Sequence, residues 1–119
     1  MSKVRVVKID PDRWACGGKR AIEGNSLYRK DDKRMCCLGF AARQLFRARI
    51  TQIKGKAMPS SAGLGNSFEE IGLGRQALNT MTDINDVGGN GTKAQRIKKL
   101  NAKLEEWEVP VRFELMPKK

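Results

Sequence analysis

The chain has 119 residues, 39% of them hydrophobic, which favours one small domain with a modest core. It carries 24 Lys and Arg against 13 Asp and Glu, a net charge of +11, and it has no histidine. The missing histidine excludes a Ser-His-Asp triad, a Cys-His dyad, His-ligated metals and His general bases. No apolar run reaches the roughly 20 residues of a membrane span, and residues 1–10 alternate valines with charges where a signal peptide would need an apolar stretch. Three cysteines, Cys16, Cys36 and Cys37, point to reduced, buried thiols in a cytoplasmic setting.

In chain order, Lys3–Ile9 reads as a strand, with β-branched Val4, Val6 and Val7. Asp10-Pro11 ends it and starts a short helix that carries Trp14. Residues 26–30 and 34–36 suggest a hairpin around Asp31-Asp32. The apolar spacing of Leu38, Ala41, Ala42, Leu45 and Phe46 predicts a helix over Cys37–Arg49, with Arg43, Arg47 and Arg49 on or beside its other face. Gly39 sits early in that helix at a cost of about 1 kcal/mol against alanine, which implies close packing of another backbone there.

Residues 54–66, rich in glycine, serine and proline, read as a loop. A second helix is expected from about Gly74 to Ile84. A third runs from Thr92 to Glu106, with Ile97, Leu100 and Leu104 inward and Lys93, Arg96, Lys98, Lys99 and Lys103 outward. Pro110 ends the helical run, and alternation puts Val109, Val111, Phe113 and Leu115 on the inner face of a final strand, with Trp107 closing one end of the core. The expected fold class is α+β: a single domain over residues 1–119, with the N- and C-terminal strands paired in an antiparallel sheet and about three helices packed on it.

The charge is uneven. Residues 1–56 hold 15 basic and 5 acidic side chains, whereas residues 57–119 hold 9 and 8. Eleven basic residues lie between Lys19 and Lys56, dense enough to make a field that attracts polyanions. The expected contact residues are Arg29, Lys30, Lys33 and Arg34 in the turn and Arg43, Arg47 and Arg49 on the helix. Tyr28, among these charges, could stack on a base. The plain alternative is a cationic surface that only keeps the protein dissolved; magnitudes of roughly 2–8 suffice for that.

A second candidate is the loop 88–93, where Gly89, Gly91, Thr92 and Lys93 open the strongest helix and could hold an anion. It is not a P-loop, because the order is Gly-Thr-Lys without the required glycine spacing; a plain connector with a helix cap is the favoured reading. Residues 83–88 begin like a calcium loop, but Val87 and Ala94 stand where oxygen ligands belong. Zinc would need a fourth ligand beside the thiols. No catalytic residue, metal or cofactor is assigned.

The succession Trp14, Gly17-Gly18, Leu27, Met35-Cys36-Cys37-Leu38-Gly39-Phe40, Leu78, Met81 and Ile84-Asn85-Asp86, followed by a late helix and a Val-x-Phe strand, resembles a group of small uncharacterised phage and prophage proteins. The chain departs from that group at Lys98-Lys99, where relatives end the helix in an acidic segment. The resemblance implies a phage origin and not a mechanism. Small phage proteins of this type are often accessory factors, which fits the lack of catalytic candidates. The expected function is therefore that of a protein acting by binding in an infected or lysogenic bacterial host: a host-takeover or anti-defence factor such as a CRISPR inhibitor. The expected partner is a host protein or nucleoprotein complex, with no membrane. Direct, sequence-tolerant nucleic-acid binding is the alternative, and sequestering a nucleotide a third.

Overall fold

Valine alternating with charge at both ends of the chain produces two five-residue strands, β1 (Arg5–Ile9) and β2 (Val111–Leu115). A computed structural model describes residues 4–14, 27–28, 34–56, 59–86 and 92–117. Between the strands lie α1 (Cys37–Phe46), α2 (Ile50–Ile53), a 3-10 turn at Pro59–Ala62, α3 (Gly65–Glu70), α4 (Arg75–Asp86) and α5 (Lys93–Glu106).

The class is α+β, but two features depart from the expectation. The strands are parallel, with Val7 opposite Phe113 and Lys8 opposite Glu114. Alternation sets which side chains point inward and says nothing about strand direction. About a hundred residues separate the strands, ample for the crossover that a parallel pair requires. The described residues also hold five α-helices where about three were expected. The additional α2 and α3 have four and six residues, too short to display a helical period.

Val7, Ile9, Val111 and Phe113 are buried, Leu115 and Trp107 half-buried, and Val4, Val6 and Met116 lie exposed. α1 packs on β1 and α5 on β2. Two strands alone are marginal, and side-chain amides stand in for the missing neighbours. Gln44 of α1 accepts from Lys8 N (2.8 Å) and donates to Lys8 O (2.7 Å) along the outer edge of β1. Asn101 of α5 does the same for Phe113 on β2, at 2.8 and 2.9 Å. Each amide occupies the backbone groups that a third strand would use.

Residues 11–13 form a turn in which Asp10 accepts from Asp12 N, in place of the expected short helix. Trp14 bridges to Met35 and Tyr28 to Lys54, so the described parts of the expected hairpin pair elsewhere. Trp14 is buried, and its indole N–H donates to Asn85 Oδ1 (2.7 Å). That same oxygen accepts from Cys37 N at 2.9 Å. Cys36, the N-cap of α1, makes no side-chain cap bond, so Asn85 caps the helix from a distance. Cys36, Cys37, Leu38 and Phe40 are buried as expected; Cys36 and Cys37 are not joined in a disulfide, and Cys16 lies outside the described residues.

α1 stops at Phe46, short of Arg49. Arg47 turns left-handed (φ 54°), and Arg47 N and Ala48 N both donate to Ala42 O. α5 keeps its expected range and carries a capping box between Thr92 and Gln95. Its end is a Schellman turn, in which left-handed Glu108 donates to Glu105 O and Val109 to Leu104 O. Arg96, expected outside, is buried because its Nε donates to Ile84 O (3.1 Å) near the carbonyl end of α4, where a cation is favoured.

Gly39 meets the expected close backbone. A Cβ there would stand 1.9 Å from Leu27 O and 3.0 Å from Met35 Cβ. Gly39→Ala is therefore expected to cost about 3 kcal/mol or more, a large part of the total stability of such a domain. A melting temperature within a degree or two of the parent would contradict that contact.

Asn101→Ala strands a partly shielded N–H and C=O and is expected to cost about 1–3 kcal/mol in urea unfolding. Gln44→Ala, whose bonds are exposed, should cost less.

Glu114 pairs with Lys8 across the sheet at 2.7 Å. Its carboxyl is held below the ordinary glutamate range, by the Lys8 hydrogen bond first and by the Lys8 charge second. A depressed folded value means that the contribution exists above the unfolded pKa and fades as pH falls through the folded one. The difference in melting temperature between wild type and Glu114→Gln should accordingly shrink from neutral pH toward pH ~3; a difference independent of pH would refute the pairing.

Candidate polyanion-binding site

The burial of α1 dictates which of its residues can meet a partner. Residues 37–42 and Leu45 are all buried. Only the last turn emerges, so Arg43 and Gln44 are exposed and Phe46 is half-buried. The Phe46 ring meets Phe68 of α3 edge-on, with centroids 4.9 Å apart. Ala48 is buried and Ile53 fully so, which fixes the backbone on the far side of the break. Arg47, at the C-terminal cap of α1, and Arg49, the N-cap of α2, are exposed on this anchored corner.

Of the expected contact residues, Arg43, Arg47 and Arg49 therefore come together where α1 gives way to α2. Arg34 is exposed three residues before α1 begins. Arg29, Lys30 and Lys33 lie outside the described residues. Lys54 and Lys56 are exposed just beyond α2, where their backbone pairs with Tyr28 and Leu27. Tyr28 is half-buried against the core, with its carbonyl accepting from Gly55 N.

One member of the corner was missed from sequence. Arg5 of β1 donates through Nη2 to Leu45 O at 3.0 Å, taking one of the carbonyls that a helix end leaves unpaired. The signal was present in the basic residues interleaved with the valines of the first strand, but only the tertiary fold brings that strand to the end of α1.

These bonds leave the other arginines of the corner without an intramolecular partner among the described residues. Cations near a helix C-terminus commonly serve its dipole. Here Ala42 O already receives two N–H groups and Leu45 O receives Arg5. Among the described residues, no hydrogen bond or ion pair engages the guanidinium of Arg43, Arg47 or Arg49. The sequence from Lys33 to Phe68 contains no Asp or Glu, so no neighbour in the chain offsets their charge.

At the second candidate, Gly89 and Gly91 lie outside the described residues. Thr92 accepts from Gln95 N, and Lys93 Nζ donates to Pro11 O at 2.5 Å. Hydroxyl and ammonium are thus engaged in capping α5 and tying it to the turn after β1.

A groove of about 670 Å³ lies between α5 and β2, with Lys98, Asn101, Glu105 and Arg112 among its lining. No group of three or more Cys, Asp or Glu that could hold a metal occurs among the described residues, and no helix there is long and apolar enough to cross a membrane. No family model matches the chain, and no match was found among curated proteins or solved structures.

Proposed function

We propose that this chain is a phage-type accessory protein that acts by binding, in the cytoplasm of a bacterial host, and that its basic corner is the contact surface. Arg43, Arg47 and Arg49 form the centre, and Arg34 and, by sequence, Arg29, Lys30 and Lys33 are the further contact residues in this reading. The partner is an acidic or nucleoprotein surface of the host, in the manner of a host-takeover or anti-defence factor.

One observation carries this reading: three exposed arginines stand where α1 gives way to α2 with no partner among the described residues, while Ala42 O and Leu45 O at that helix end accept from backbone N–H groups and from Arg5. Arginine suits the role because its planar fork grips phosphate or carboxylate through two hydrogen bonds.

Arg43→Glu combined with Arg49→Glu reverses the charge without touching the buried stripe. Affinity capture from a bacterial host lysate by wild type and by the double variant, at about 50 and 200 mM salt, tests the proposal. The partner recovered by wild type should be lost or strongly reduced with the variant, most clearly at the higher salt, while circular dichroism shows the variant folded. Equal recovery at both salts by a folded variant rejects the basic corner.

A further inference from the structure

Arg47 holds a conformation that penalises it. Its φ of 54° lies in the left-handed region, where glycine is favoured because any Cβ crowds the carbonyl that follows. Helices commonly end on a glycine at such a position. Residues under such strain cluster at ligand-binding sites, although a helix end also tolerates them without one. No intramolecular bond among the described residues rewards the Arg47 guanidinium. Glu108 supplies an internal comparison, being left-handed too (φ 58°) and exposed, at the end of α5.

The surroundings narrow the ligand. Protein partners usually seat on an apolar centre with charges at the rim. Among the described residues, the exposed large hydrophobic side chains are Val4, Val6, Met116 and Ile50; Ile50 follows Arg49 in the chain, and Val4 and Val6 flank Arg5. None of them is aromatic, and a strongly positive surface without an aromatic anchor matches nucleic-acid interfaces, which are wetter and far more basic than protein interfaces. α1 cannot enter a groove as a reading helix, since its N-terminal turns are buried and one turn emerges. What remains is contact with the backbone, which is indifferent to sequence.

We propose that the corner binds the phosphodiester backbone of a nucleic acid, free or within a nucleoprotein assembly, and that arginine is kept at the left-handed position 47 for a phosphate contact at the expense of stability. This rests on the basic-corner reading above and specifies its ligand.

Fluorescence anisotropy with a DNA duplex of about 20 base pairs, and with RNA of similar length, gives affinity as a function of salt. Wild type should bind with a log–log slope of about −3, the sum of three to four phosphate contacts. Arg47→Gly should raise the melting temperature by roughly 2–5 °C, yet weaken duplex binding about five- to tenfold and flatten the slope by about one. Arg47→Lys should keep most of the binding without the thermal gain. Glu108→Gly should gain stability with binding unchanged.

If Arg47→Gly binds as wild type does, the role of Arg47 is overturned; loss of capture by the Arg43→Glu, Arg49→Glu variant would still uphold the basic corner. If neither variant changes binding or capture, both readings fail. Polyglutamate binding tighter than duplex or RNA at equal salt assigns the corner to acidic protein and overturns the phosphodiester ligand. Binding to bare duplex or RNA identifies free nucleic acid as a sufficient source. Lysate capture that nuclease abolishes, without binding to the bare probes, identifies the assembly. Capture that survives nuclease, again without binding to the bare probes, overturns the proposal.

Discussion

A single buried carbonyl oxygen joins the parts of this fold. Asn85 Oδ1, at the end of α4, accepts both the Trp14 indole N–H and the first backbone N–H of α1. Three segments far apart in sequence thereby share one acceptor, inside a site that water does not reach. Each donor would otherwise be buried without a partner, which costs about 1–3 kcal/mol. Leucine would fill the space but satisfy neither donor. The requirement is directional, so it orders the segments as well as holding them together. Gly39 completes the arrangement two residues further along α1, where the Leu27 carbonyl leaves no room for a Cβ.

The distinctive residues of the sequence, Trp14, Cys36-Cys37, Gly39 and Asn85, therefore gather in the interior. They build the platform, and the proposed contact surface lies where α1 leaves the core. The same logic governs the sheet. Two short parallel strands lack neighbours, and Gln44 and Asn101 supply them from the helices. Gln44 and Arg5 also tie β1 to the last turn of α1, so the residues that protect the sheet edge hold the basic corner in place.

The two candidate anion sites separate on the same ground. At Thr92 and Lys93, the visible polar groups are spent on the helix cap and on the Pro11 carbonyl. Near Arg43, Arg47 and Arg49, backbone N–H groups take Ala42 O and Arg5 takes Leu45 O, and the three arginines are exposed without a partner among the described residues. Charge that the fold does not use, on a backbone that the fold holds rigid, is the physical content of the proposed function.

The sequence by itself determined the periodic elements. The threes and fours of Ile97, Leu100 and Leu104 located α5 and its Thr92 cap; Val111 and Phe113 marked the buried face of β2; Gly39 announced a close backbone. These are local consequences of side-chain spacing and of one missing Cβ. The excess of arginine before residue 57 was legible in the same way, as composition. Only the tertiary structure decided strand direction, because alternation reads the same both ways along a chain. It alone turned Arg96 inward to an Ile84 carbonyl, ended α1 at a left-handed Arg47, and carried Arg5 to Leu45. Each of these depends on a partner 12 or more residues away, or on a helix end set by burial on both sides, and no local pattern encodes such a partner.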